Sequence, residues 1–319
     1  MASPSTLSLT APGRVRLYST AELLKLPPPE WLVDGIMPAG GLVGLYGAPG
    51  DGKSFLALDI ALSVATGRPW HGHPVKRDYV LYIAAEGGTG MGKRARAWLL
   101  HYGVEAPDVS MAWMIDSLPV HAESSDLDTL LERLEHEVDR RPGLVIIDTL
   151  ARCFDGNENQ QEDMGRFVNG VDKFRRAYGA TTLVIHHTGL ASGRERGSTS
   201  FRGAAETMMS VDMNQQTQTM TITCDKQKDA LRFEPINLTL TDVVEAESAV
   251  LTQPGLEAAI ARKAELLAIL VKGPRTAKQI QAKSHGELSR STLFRLLRDT
   301  VKTGEIIKEN DEYRLSVPR

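Results

Sequence analysis

Cysteine is almost absent from this sequence, with two residues, Cys153 and Cys224, among 319. They lie far apart and neither belongs to a C-x-x-C pair, which excludes a disulfide framework and a cysteine-rich zinc site. Reduced thiols in a cytoplasmic protein are expected. Long apolar runs are missing as well. No uncharged stretch reaches the roughly 20 residues of a membrane helix, and the Ser/Thr-rich start MASPSTLSLTAPGRVRLYST has no apolar signal core. Neither membrane insertion nor secretion is expected. No internal repeat and no low-complexity tract occurs, and 42% hydrophobic with 24% charged residues is the composition of an ordinary globular chain. A net charge of -3 provides no global footprint for nucleic acid. That average conceals an asymmetry: from residue 255 onward there are 13 Lys+Arg against 8 Asp+Glu, so the tail carries +5 and the remainder -8. The basic surface is local to the tail.

What is present is an alternation of short apolar runs with amphipathic segments. After a polar start over 1–20, AELLKLPPPEWLVDGIMPAGG reads as a short helix broken by three prolines. An extended segment follows, carrying Trp31 and Leu32 into a glycine turn, a lead-in and not a core. Strands are expected at 41–47, 79–86, 144–148 and 181–187, with helices from Lys53, around 92–103 and near 162–178. Such a series predicts an α/β fold with a mostly parallel sheet covered on both faces. QTQTMTITCDKQK alternates with period two and reads as a further strand, with Met220, Ile222 and Cys224 on one face. Pro254 and Gly255 are expected to form a linker, which divides the chain into a core over 21–250 and a small unit over 256–319.

Gly47 to Ser54, GAPGDGKS, fits G-x-x-x-x-G-K-[ST] in full and lies between an apolar strand and a helix. Glycines in such a loop turn successive N–H groups onto phosphate oxygens, so Gly47, Ala48, Pro49, Gly50, Asp51, Gly52, Lys53, Ser54 and Phe55 are the expected nucleotide contacts. Lys53 adds a point charge at the terminal phosphates, and Ser54 offers its hydroxyl to Mg²⁺. Asp148, ending LVIID, provides the carboxylate for a second anchor on the metal. Glu86 ends another buried strand before GGTGMG and is the expected base that activates water for ATP hydrolysis. His71 and His73, in HGHP, have no adjacent Cys or carboxylate and read as a surface turn before the next strand.

A glutamate after the strand that follows this loop's helix, with the aspartate on the next strand, resembles the RecA-like P-loop ATPases. PPPEWLVDGIMPAGGL, IDTLARCFDGNEN, VIHHTG and RGSTSFRGAAE further resemble the RepA-type branch, the plasmid and phage hexameric replicative helicases, over about residues 20 to 230. The resemblance implies a RecA-like core, ATP with Mg²⁺, a homo-oligomeric ring, a single-stranded DNA partner and replication partner proteins. It implies a γ-phosphate sensor in the histidine pair of VIHHTG, with His186 preferred over His187. It also implies a basic residue reaching the neighbouring subunit's nucleotide, for which DKQK offers Lys226 and Lys228, with Arg202 as the alternative. Lysines here depart from the arginine usual in the helicases, and an arginine fork spreads over a phosphoryl group better than a lysine point charge.

In such proteins a loop after the sensor strand meets DNA, and GLASGRERGSTSFRGA occupies that place. Arg194, Arg196 and Arg202 are the expected phosphate contacts, while Phe201 is open to two readings, a base-stacking ring or a packing anchor. The acidic loop ARCFDGNENQQEDMG reads as an interface or Mg²⁺-proximal element. The tail reads as helix, helix, a third helix capped by Ser289, and two strands about an Asn310-Asp311 turn, which resembles a winged helix-turn-helix. Arg290 and Arg295 on its third helix are candidate DNA contacts, with a protein partner as the alternative. Three functional readings stand at this point: a ring-forming motor on single-stranded DNA, an ATP-regulated recombination or loading factor, and a nucleotide-switched DNA-binding regulator.

Overall fold

The computed structural model describes residues 18–137, 141–187, 199–284 and 289–316. Helix α1 (Thr20–Leu23) is closed by a capping box between Ser19 and Glu22. Strands β1 (Trp31–Val33) and β2 (Met37–Pro38) then form a small hairpin. The main sheet contains β3 (Leu42–Gly47), β4 (Tyr79–Ala84), β5 (Met111–Met114), β6 (Pro142–Asp148), β7 (Thr181–His187), β8 (Thr207–Asn214), β9 (Thr219–Gln227), β10 (Ile236–Val243) and β11 (Ser248–Thr252). Their spatial order is β11-β10-β9-β8-β3-β7-β6-β4-β5. From β8 to β5 neighbouring strands run parallel, and β9, β10 and β11 add an antiparallel extension.

Parallel neighbours require crossovers. These contain α2 (Lys53–Thr66), α3 (Gly88–Tyr102), α4 (Ser125–Glu137), α5 (Leu150–Cys153), α6 (Gln161–Tyr178) and α7 (Thr199–Ala204). Because strand side chains alternate, each strand feeds two cores. Val43, Leu45, Ile146, Leu183 and Ile185 pack with Leu56 and Ile60 of α2 and Trp98 of α3. Leu42, Tyr46, Val145, Ile147 and Val184 pack with Phe167 and Phe174 of α6 and Phe201 of α7. Each such large side chain stabilises the fold by about 2 kcal/mol on burial.

Several expectations change. Leu32, Val33, Ile36 and Met37 are all buried in the first of these cores, so the lead-in is part of the core. Its strands are too short for their pattern to show this. Helix α3 starts at Gly88, earlier than the helix expected around 92–103, and includes GTGMG; burial of Met91 and Trp98 outweighs the glycines' poor helix propensity. Pro254 and Gly255 open helix α8 (Pro254–Val271) directly after β11, where proline at the first helical position costs no hydrogen bond. Strands β5, β8, β10 and β11 and helix α4 lie where the sequence pattern gives no expected element, and β10 is too polar to stand out, with one buried residue, Leu238.

Beyond α8 come β12 (Arg275–Thr276), α9 (Ala277–Lys283), α10 (Arg290–Lys302), β13 (Ile306–Glu309) and β14 (Glu312–Leu315). The three strands form a separate antiparallel sheet in the order β12-β14-β13. Leu266, Leu270, Ile280, Leu293, Leu297, Ile306 and Tyr313 make a core of their own. Ser289 caps α10 by accepting from Thr292 N–H, as its position suggests. Among the described residues no helix is long and apolar enough to cross a membrane.

Candidate active site

Strand β3 delivers the chain into the loop 48–52, and α2 leaves it with no side-chain cap on its first N–H groups. The turn needs left-handed backbone at Gly50 (φ 91°) and Gly52 (φ 77°). A Cβ at Gly52 would stand 2.7 Å from Met220 Cε. Asp51 braces the loop by accepting from Ala48 N–H at 2.6 Å. Lys53 is buried and donates to the Gly47 and Ala48 carbonyls at 3.0 and 2.7 Å. Burial lowers its pKa, opposed by Asp51, Asp148 and Glu86.

The loop opens on a cleft of about 330 Å³ that gathers Lys53, Ser54, Phe55, Glu86, Arg94, Asp148, Thr149 and His187. A larger cleft of about 570 Å³ beside Trp113 and Ile115 holds none of the motif residues. Asp148 ends β6, almost fully buried, and Oδ2 accepts the Tyr82 hydroxyl at 2.8 Å. Its other oxygen, Oδ1, is buried without a hydrogen-bond partner. Burial raises the Asp148 pKa, the Tyr82 and Ser54 hydroxyls oppose this, and Glu86 adds to it. Ser54 is near enough to favour the carboxylate without completing a hydrogen bond to Oδ1.

An orphaned carboxylate oxygen beside the Ser54 hydroxyl and a ring of loop N–H groups fits a divalent cation shared between protein and phosphates. Among the described residues there is no group of three His, Cys, Asp or Glu side chains able to hold a metal alone. Asp148 and Ser54 would therefore hold Mg²⁺ as part of a nucleotide complex.

Glu86 lies two residues past the end of β4, with its side chain half-exposed. Its N–H donates to the Asp148 carbonyl at 3.2 Å, and its Oε2 accepts from the Thr149 hydroxyl at 3.3 Å. His187 Nε2 lies 3.8 Å from the same oxygen. Burial and then Lys53 lower the His187 pKa, which keeps the imidazole neutral. Its Nδ1 is buried without a partner.

His186 is not in this cleft. The strand turns it to the opposite face, where its Nε2 meets Glu158 Oε2 at 3.3 Å and its ring lies edge-on to Phe201. Period two on a strand allows only one of two adjacent histidines to face the phosphate loop, and Ile185 and His187 share that face. Arg94, Thr149 and Tyr82 were missed by sequence reasoning. Arg94 stacks its guanidinium 4.5 Å from the Phe55 ring centroid, and its only sequence signal was a helical position after Glu86.

Lys226 is engaged within its own chain: Nζ donates to the carbonyls of Arg202, Gly203 and Ala205 at 2.6, 3.1 and 2.5 Å. These end α7, where a cation is favoured by unpaired carbonyls and the helix dipole. Lys228 is exposed. Phe201 is fully buried against Phe167, which makes it a packing anchor. Arg202 is half-buried on α7, while Arg194 and Arg196 lie outside the described residues. Arg290 and Arg295 are exposed on α10, far along the chain from the cleft, and Arg290 lies 5.9 Å from the Phe294 ring centroid. The acidic loop is tied down by Glu158 to His186 and by Asp163, which accepts from Asn157 N–H and pairs with Arg166. His71 is no surface residue: its side chain is 4% exposed, 2.8 Å from Asp59. Both cysteines are free and buried.

Residues 15–193, more than half of the chain, match the AAA domain family. No curated protein matches the sequence. Among solved structures the chain is similar to the RadB recombinase, at 14% identity and TM-score 0.49, over 67% of this chain and 92% of that one. It is also similar to the KaiC-like protein PH0186 from the hyperthermophilic archaeon Pyrococcus horikoshii OT3, at 14% identity and TM-score 0.46, over 70% and 94%. The chain belongs to the AAA domain family, and its core is an α/β fold built on a mostly parallel sheet.

Proposed function

We propose that this chain is an ATP-hydrolysing motor that forms a ring, a hexamer, on single-stranded DNA and serves as a RepA-type replicative helicase of a plasmid or phage in the cytoplasm. The observation that supports it is the convergence of Lys53, Ser54, Asp148, Glu86 and His187 on one cleft. Mg²⁺ held by Ser54 and Asp148 would neutralise charge on the phosphates. Lys53 exchanges its two carbonyl contacts for phosphate oxygens, and the loop N–H groups orient the chain of phosphates. Glu86 Oε2 accepts the proton of the attacking water as the terminal P–O bond breaks, and Thr149 keeps that carboxylate in place. Neutral His187, next to Glu86, takes the phosphate-sensing role expected of His186.

The exposed Lys228 is the better candidate for reaching a neighbouring subunit's nucleotide, because Lys226 is spent on α7. Arg194, Arg196 and Arg202 contact the strand's phosphates in this reading. Three helices and a hairpin after residue 254 support a winged helix-turn-helix, with Arg290 and Arg295 facing duplex DNA or a replication partner.

The test is steady-state ATPase activity with and without single-stranded DNA, for wild type and an Arg194/Arg196/Arg202 triple alanine variant, at two salt concentrations. Stimulation by DNA that the variant loses and salt weakens supports the motor, and strand displacement follows. Absence of stimulation in wild type would sink the motor reading and leave a nucleotide-switched regulator.

A further inference from the structure

His186 and His187 are joined by one peptide and point to opposite faces of β7. On one face His187 meets Glu86, 3.8 Å away in the cleft. On the other, His186 is 2% exposed and held between two segments from different parts of the chain. Glu158, from the loop after α5, approaches Nε2 at 3.3 Å. Phe201, from α7, presents its ring at 6.4 Å between centroids and 70° between planes. Nδ1 has no partner, so the Glu158 contact is the imidazole's single hydrogen bond. Since the carboxylate accepts, Nε2 carries the proton.

This arrangement makes the strand end a lever. A strand residue cannot shift without its neighbour, because the peptide between them is planar and both sit in ladders with β3, Tyr46 opposite His186 and Gly47 opposite His187. A displacement of the His187 backbone by a phosphate beside Lys53 is imposed on His186. It then reaches the loop 154–160 through Glu158 and α7 through Phe201. Close packing carries such a shift onward: Phe201 touches Phe167, and Phe167 touches Phe154 of the same loop.

We infer that Glu158 is a positioning residue which, through His186, couples the nucleotide cleft to α7, so that the phosphate state and the pose of Phe201 change together. The inference rests on the proposed ATPase motor and adds to it the contact that links hydrolysis to the strand-binding side. Glu158 does not line the cleft, so its replacement separates coupling from chemistry.

The experiment compares wild type with Glu158→Gln and Glu158→Ala in ATPase assays with and without single-stranded DNA. Glu158→Ala is expected to retain KM for ATP and DNA-free kcat within about two-fold of wild type, while stimulation by DNA falls by about five-fold or more. Glu158→Gln, which can still accept from Nε2, is expected to recover part of that stimulation. Wild-type stimulation in Glu158→Ala, or an equal loss of DNA-free turnover, would overturn the inference. Hydrogen exchange over 199–205 with a non-hydrolysable ATP analogue reads the coupling without DNA. Wild type is expected to change protection there and Glu158→Ala not to change, and identical responses would overturn the inference. If wild type shows no DNA stimulation but does show this exchange response, the motor reading fails and the coupling stands.

Discussion

His187 Nε2 stands 3.8 Å from Glu86 Oε2, and this pair, rather than the preceding histidine, meets the phosphate loop. Replacing His187 by Ala is expected to lower kcat by about 10²-fold, the usual effect of losing one preorganised polar group in such a site. The same residue sets an acid limit. Its folded pKa lies below its ordinary 6.5, so the unfolded chain takes the proton first as the pH falls. The neutral-imidazole contribution is thus present above that pH and is lost progressively below it. Denaturant melts between pH 8 and pH 5 should show a shallower acid decline for His187→Gln than for wild type.

Lys53→Ala is expected to abolish nucleotide hydrolysis. Glu86→Gln should keep nucleotide binding while kcat falls by about 10²- to 10⁴-fold, because proton acceptance is lost and the phosphate contacts are not. Equilibrium binding of a fluorescent ATP analogue beside single-turnover hydrolysis separates the two. Normal turnover by Glu86→Gln would remove it from the role of base.

Asp148 carries opposite effects with and without ligand. Burial raises its pKa, so in the nucleotide-free protein the folded state binds the proton more tightly and stability rises as the pH falls through that window. Asp148→Asn removes this buried charge and is expected to raise Tm at neutral pH without nucleotide. The same variant should lose the added stabilisation by Mg²⁺ and ATP that wild type shows. Thermal melts with and without both ligands check each half.

The two lysines at the end of β9, Lys226 within it and Lys228 just past it, should separate cleanly. Lys226→Met breaks charge-assisted contacts to three carbonyls and is expected to cost about 1–3 kcal/mol of stability. Lys228→Ala should leave stability within about 0.5 kcal/mol. If Lys228 serves a neighbour's nucleotide, mixtures of Lys228→Ala with Lys53→Ala subunits will regain turnover that neither has alone.

Asp59, on α2, is a buried carboxylate that accepts from the indoles of Trp70 and Trp98, each at 2.8 Å, with His71 at the same distance. It fastens the phosphate-loop helix to α3 and to the turn before β4. Asp59→Ala leaves those donors buried and unpaired, at an expected cost of about 3–5 kcal/mol. Chemical denaturation checks this. A cost under 1 kcal/mol would mean that water reaches the site.

Much was legible in advance because some patterns are local. GAPGDGKS between a strand and a helix, the apolar run before Asp148, and the period-two alternation of Met220, Ile222 and Cys224 each announce themselves within a few residues. The short hairpin around Leu32 and Met37 does not, since distant chain holds it in place: Val33 bridges to Val75, and the Leu32 carbonyl accepts from Lys76 N–H. Nor does the Asp59 clamp, whose donors sit 11, 12 and 39 residues along the chain.

By itself the sequence determined the α/β alternation, the phosphate loop and the buried central strands β3, β4, β6 and β7, because these follow from backbone preference and side-chain period. Tertiary structure alone decided which of two adjacent histidines faces the cleft, which of two nearby lysines is free, and that Phe201 is core. Those outcomes depend on where strands and helix ends meet in space, and contacts between distant segments leave no mark on the spacing of their residues.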